Sequence, residues 1–176
     1  MSKPTIVTFS GKAQHGKTTS ANFLGAMLKE KGKRVLFASY ADYLKYLARQ
    51  YFCWNGEKDE RGRTLLQELG TEKTRHKFPN FWVDNVIGLA KILEDEYDYV
   101  IIDDCRFPNE ISRWEEEGYR ILSFWVNRPN FDNRLTEEQK NHPSETSLVG
   151  YGFLAELTAE TLEELEGEVS KCVGLV

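Results

Sequence analysis

Long hydrophobic runs are missing from this chain. No apolar stretch approaches the roughly 20 residues that a membrane-spanning helix needs. The opening residues, MSKPTIVTFS, lack the apolar centre of a secretory leader. Membrane insertion is therefore not expected. Cysteine is scarce: Cys53, Cys105 and Cys172 are odd in number and show no metal-ligand spacing. A disulfide framework and a structural zinc site are excluded, and reduced thiols in a cytoplasmic setting are expected. Positive charge is not in excess either. With 23 Lys and Arg against 28 Asp and Glu, the net charge is −5, whereas nucleic-acid binding usually shows a basic surface. There is no repeat, low-complexity tract or flexible linker. The 176 residues, 40% hydrophobic and 29% charged, suit one soluble domain with a substantial core.

What is present begins with Ser10–Thr19, SGKAQHGKTT, after the apolar run Thr5–Phe9. Gly11 to Thr18 fits G-x-x-x-x-G-K-[ST], the phosphate-binding loop between a strand and a helix. Glycines at 11 and 16 permit a turn tight enough for successive N–H groups to face a polyphosphate. Lys17 would reach the β and γ phosphates and the Thr18 hydroxyl would ligate Mg²⁺. Given Gly at about 7% of residues, a chance match is expected in roughly one such chain in a hundred.

Thr18–Glu30 has one apolar face and predicts a helix, and Val35–Ala38 a buried strand, so the start of the chain is a βαβ unit with parallel strands. A helix follows Ser39 to about Cys53. Asp42 and Lys45 lie just past a strand end, where parallel α/β sheets place ligands. Trp54–Arg63 reads as an exposed loop, Thr64–Leu69 as a helix ended by Gly70-Thr71, and Phe81–Leu93 as an apolar helix. Arg61, Arg63, Lys73, Arg75, His76 and Lys77 form a basic concentration that is either a solvated face or a second anion site. Tyr97–Asp104 is a strand ending in two carboxylates. Either Asp103 or Asp104 could hold Mg²⁺ by pattern. Arg106 follows, suited to bidentate phosphate contact. After a helix to about Gly118 and a strand at Tyr119–Val126, the polar stretch Asn127–Ser147 is too long for a plain connection and predicts a lid. Phe153–Leu157 predicts an edge strand and Thr158–Val173 a terminal helix.

The expected fold is a three-layer P-loop α/β fold with a mostly parallel five-stranded sheet. No N-K-x-D base-reading motif of a GTPase is present. A small phosphotransferase remains. In family order, SGKAQHGKTT, FASYADYLK, GRTLLQELGTEKTR with PNFWV, VIIDDCRFPNE, NHPSE and TLEEL resemble the bacteriophage-type deoxynucleoside monophosphate kinases. The chain departs at Asp103, where the family pattern has a small or hydroxyl residue, and in YADYLK, where a proline often precedes the leucine.

The resemblance implies one kinase domain over residues 1–176, with a monophosphate-binding insertion at about 40–80 and a lid at about 127–147. It implies transfer of the γ-phosphoryl group from ATP, with Mg²⁺, to a deoxynucleoside monophosphate. Gly11, Ala13, His15, Gly16, Lys17, Thr18, Thr19 and Arg128 then fall on the ATP side, with Thr18 and Asp104 at the metal. Lys12, Asp42, Lys45, Arg75, Trp82 and Arg106 fall on the acceptor side, together with Arg134, His142 and Glu145 of the lid. Lys17, Arg75, Arg106 and Asp104 would carry catalysis. The expected setting is the cytoplasm, a host's if the chain is viral, without nucleic-acid or membrane partners and with a homodimer allowed. The alternatives are a kinase of another small acceptor and a non-catalytic nucleotide-binding regulator.

Overall fold

The computed structural model describes residues 3–176. The chain folds around β1 (Thr5–Ser10), whose residues from Ile6 onward are all buried. A strand buried on both faces belongs at the centre of a parallel sheet. The order is β2 (Val35–Ala38), β3 (Tyr99–Cys105), β1, β4 (Ile121–Asn127), β5 (Ala155–Thr158), with every pairing parallel. Val7 pairs with Ile101 on one side and Leu122 on the other.

Period-two alternation divides the strand side chains between two apolar layers. Val7, Phe9, Ile101 and Phe124 pack against α1 (Lys17–Glu30) and α8 (Leu162–Cys172), through Leu24, Leu28, Leu165 and Val169. Ile6, Val100 and Ile102 face the other layer, formed by α2 (Ala41–Phe52), α4 (Phe81–Ile92) and α5 (Asn109–Glu116). In that layer the fully buried Trp114 donates to the Tyr40 hydroxyl at 2.8 Å, which donates to the Glu110 carbonyl at 2.7 Å. This chain of bonds fixes the start of α5 against the loop after β2. Among the described residues, no helix is long and apolar enough to cross a membrane.

Local chemistry accounts for most boundaries. Thr161 and Glu164 form a reciprocal cap at the start of α8, as Thr136 and Gln139 do for α6 (Glu137–Asn141). With α7 (Pro143–Thr146), α6 gives the expected lid helical content. Two expectations are corrected. Trp54–Arg63 is not all loop, because Asp59 accepts the Gly62 N–H at 2.7 Å and starts α3 (Glu60–Gln67). Nor does Gly70-Thr71 end that helix; it widens into a π-helical segment, Glu68–Arg75. The wider turn survives because other groups take its carbonyls: Trp82 Nε1 binds the Gly70 oxygen at 2.9 Å and Thr74 Oγ1 the Leu69 oxygen at 2.7 Å. Such segments are rare and concentrate at functional sites.

Candidate active site

β1 is the point from which the chain departs toward both edges of the sheet, and ligand crevices open at the carboxyl ends of strands there. The loop after β1 is built for close approach. Gly11 has φ +140° and Gly16 φ +99°, and a Cβ on Gly11 would collide with the Val126 carbonyl oxygen. No acidic side chain occupies the first turn of α1, so its positive end is left for an anion. Lys17 is 8% exposed and donates to the Gly11 and Lys12 carbonyls at 2.9 and 2.7 Å. Burial, with Arg106 adding to it, holds its ammonium well below the usual lysine range.

The two strand-end carboxylates have separated roles. Thr18 Oγ1 donates to Asp103 Oδ2. Asp104 instead accepts from Ser39 Oγ at 2.7 Å and from the backbone N–H groups of Tyr40 and Ala41 at 3.0 and 2.9 Å. It caps α2 across the sheet. Burial pushes its carboxyl up, against those hydrogen bonds. The expected pairing of Asp104 with Thr18 is not the one that forms: β3 bulges against β1 at Asp103-Asp104, both carboxylates act on Lys17, and Asp103 is the one bonded to Thr18.

A cleft of about 690 Å³ opens in front of the loop. Ala13, Gly16, Lys17, Thr18 and Thr19 line one wall; Lys45, Arg75 and Trp82 line the other, with Arg106 and Glu145 between. Arg75 lies 3.9 Å over the Phe107 ring and pairs with Glu110, which also accepts the Arg106 and Phe107 N–H groups at 2.6 and 3.0 Å. Glu110 is 1% exposed, and burial pushes its carboxyl up against the opposing pull of Arg75. Arg106 Nη1 reaches the Gly11 carbonyl at 3.0 Å and Glu145 at 2.9 Å.

A second recess of about 470 Å³ adjoins the loop, lined by Lys12, His15, Arg128 and Phe131. The Arg128 N–H donates to His15 Nδ1 at 3.0 Å, so that nitrogen is unprotonated. Burial and then the Lys17 charge lower the His15 pKa, in keeping with a neutral ring. The Arg128 guanidinium lies 4.3 Å over the Phe131 ring.

Four expected site residues line neither cavity: Gly11, whose carbonyl accepts from Lys17 and Arg106, and three others. Asp42 faces solvent and ties Lys45 at 3.1 Å, because it is on the outer side of α2. Arg134 is exposed, in a turn at φ +55° stabilised by the Asp132 carboxylate. His142 uses Nδ1 to accept the Ser144 N–H at 3.1 Å, starting α7, while Nε2 lies 3.5 Å from Glu72. Conversely, Lys58, Gln67, Phe107 and Glu110 line the cleft without having been singled out for it. Glu110 closes the VIIDDCRFPNE stretch, but no role was attached to it there. Lys58 carried no signal.

No family model matches this chain, and no curated protein matches its sequence. Solved structures do. The Mycobacterium tuberculosis APS kinase CysC in complex with AMPPNP and APS is 14% identical, with TM-score 0.51 and 99% of each chain covered. A cysteine-to-alanine mutant of CysC gives 14% identity, TM-score 0.50 and the same coverage. The protein APE1195 is 20% identical, with TM-score 0.54, covering 100% of this chain and 98% of its own. The chain has an α/β fold with a five-stranded parallel sheet, and this fold is similar to that of the APS kinase CysC.

Proposed function

We propose that this protein transfers the γ-phosphoryl group of ATP to a deoxynucleoside monophosphate. The observation that carries the reading is a single cleft with a phosphate loop on one wall and an arginine held by a buried carboxylate on the other. A protein that only senses a nucleotide needs the first wall and not the second. In this reading residues 40–80 are the acceptor-binding insertion and 127–147 the lid. Lys17 and the loop N–H groups hold the donor phosphates, Arg128 and the second recess take the donor's outer part, and Arg75 holds the acceptor phosphate.

The Thr18 hydroxyl touching a strand-end carboxylate is the donor set that Mg²⁺ uses in such sites, so Thr18 and Asp103 would hold it. Bound there, Mg²⁺ offsets charge on the β and γ oxygens. No strong general base is required, since the acceptor is a phosphate oxygen already largely ionised at neutral pH. The work is to bring two anions in line and stabilise the charge that spreads over the transferring group.

A coupled ADP assay with ATP across the common deoxy- and ribonucleoside monophosphates, with APS included, tests this. ADP formation dependent on a deoxynucleoside monophosphate is expected. Release that depends on APS alone would move the chain to the other small-acceptor reading, and none with any acceptor would leave the regulator. Arg75→Ala is expected to raise the acceptor KM at least tenfold while the ATP KM changes less than threefold, on the scale of a lost charged hydrogen bond of roughly 1.5–3 kcal/mol. The reverse pattern in steady-state kinetics would remove Arg75 from the acceptor wall.

A further inference from the structure

The lid contributes an anion of its own to the phosphate loop. Glu145 Oε2 accepts the Ala13 N–H at 2.9 Å, while Oε1 lies 2.9 Å from Arg106 Nη1, and the side chain is 9% exposed. The same Nη1 also binds the Gly11 carbonyl at 3.0 Å and the Ser144 carbonyl at 3.3 Å. Lid and loop are thus joined through one guanidinium and one carboxylate.

The donors that Glu145 takes are an inward-facing N–H of a glycine-flanked loop and an arginine at a strand end. Both suit a phosphoryl oxygen, and charge-assisted bonds of this kind are made equally by carboxylates and phosphates. A carboxylate serving only as a strut could pair with Arg106 alone. Engaging the Ala13 N–H puts it in the phosphate seat itself. Two anions cannot share that N–H, and their repulsion beside a side chain as buried as Glu145 is stronger than in bulk water.

Resting on the reading of this cleft as a nucleotide site, we infer that Glu145 is an internal competitor for the seat of the donor's terminal phosphate. A phosphate entering the seat displaces Glu145, breaks the lid's contact with Ala13 and leaves Arg106 to the ligand. Donor binding and release of the lid are then one exchange of anions on the same donors.

Calorimetric titration of the full chain with AMPPNP and, separately, ADP tests the exchange. Glu145→Gln keeps the shape and removes the charge, and is expected to bind AMPPNP about tenfold more tightly. Glu145→Ala should shift affinity in the same direction. ADP lacks the terminal phosphate that would reach the seat, so its affinity should be the same in all three proteins. Unchanged or weaker AMPPNP binding by both variants would overturn the inference and leave Glu145 a strut or a ligand contact. Equal tightening of ADP would also overturn it, since the effect would then not belong to the terminal phosphate. If the unsubstituted protein fails to bind AMPPNP, the nucleotide reading of the cleft falls instead.

Discussion

Lys17→Ala is expected to lower kcat by at least 10²–10³-fold, the usual scale for removing one preorganised charge from a transferring group, and to leave the protein folded. Both halves follow from where the side chain sits. Its ammonium is bonded to two loop carbonyls and walled in by Arg106, and burial holds it well below the ordinary lysine range. The sign of that shift matters. An amine whose folded-state pKa is lowered makes its charged form costly in the folded state at every pH below the ordinary lysine value. At neutral pH the folded protein therefore bears a cost that the substitution removes. The melting temperature should hold or rise, as expected when a strained functional charge is lost. Scanning calorimetry beside the coupled assay checks this. Wild-type-like kcat would sink the phosphotransfer reading, and a large fall in melting temperature would make Lys17 a structural residue.

The second large effect separates two neighbours. Asp103→Ala is expected to cut kcat about 10²-fold, a scale set by loss of one charged transition-state contact, to raise the Mg²⁺ concentration needed for half-maximal rate, and to leave stability nearly unchanged. Asp104→Ala should do the opposite. It would strip one hydroxyl and two backbone N–H groups at the start of α2 of their acceptor. Leaving such donors unpaired costs roughly 2–4 kcal/mol in all. That is about 5–12 °C in melting temperature for a chain of this size. If Asp104→Ala instead shifts the Mg²⁺ dependence with its melting temperature intact, the assignment made from Thr18 is reversed.

This pair also shows where the sequence stops being informative. The strand–loop–helix at the start of the chain is legible because its signals are local: an apolar run, two glycines at fixed spacing, a helical face. Which of two consecutive aspartates meets the loop is not local, since it depends on how β3 bulges against β1 at that point. Glu110 is harder still. Its role comes from Arg75, 35 residues earlier in the chain, and in isolation it looks like any acidic residue in a first helical turn. Gly70-Thr71 has the chemistry of a helix stop and is overridden because Trp82 and Thr74 satisfy the carbonyls it exposes. His142 and Arg134 lie in the polar stretch Asn127–Ser147, but the direction of each side chain is set by its own turn.

The wide helical turn before Arg75 makes the cleft sensitive to chain length as well as to side-chain identity. In that turn the His76 N–H reaches back five residues, to the Thr71 carbonyl at 3.4 Å. Inserting one residue between Glu72 and Thr74 could not be absorbed by widening a turn that is already wide, and it leaves every existing side chain chemically unchanged. Each residue advances an α-helix by about 100°, so Arg75 would swing off the Phe107 ring and away from Glu110. Such an insertion should preserve far-ultraviolet circular dichroism while raising the acceptor KM as much as Arg75→Ala does. Homologous chains that keep this arginine should therefore conserve the spacing around it more strictly than the residues that fill the spacing.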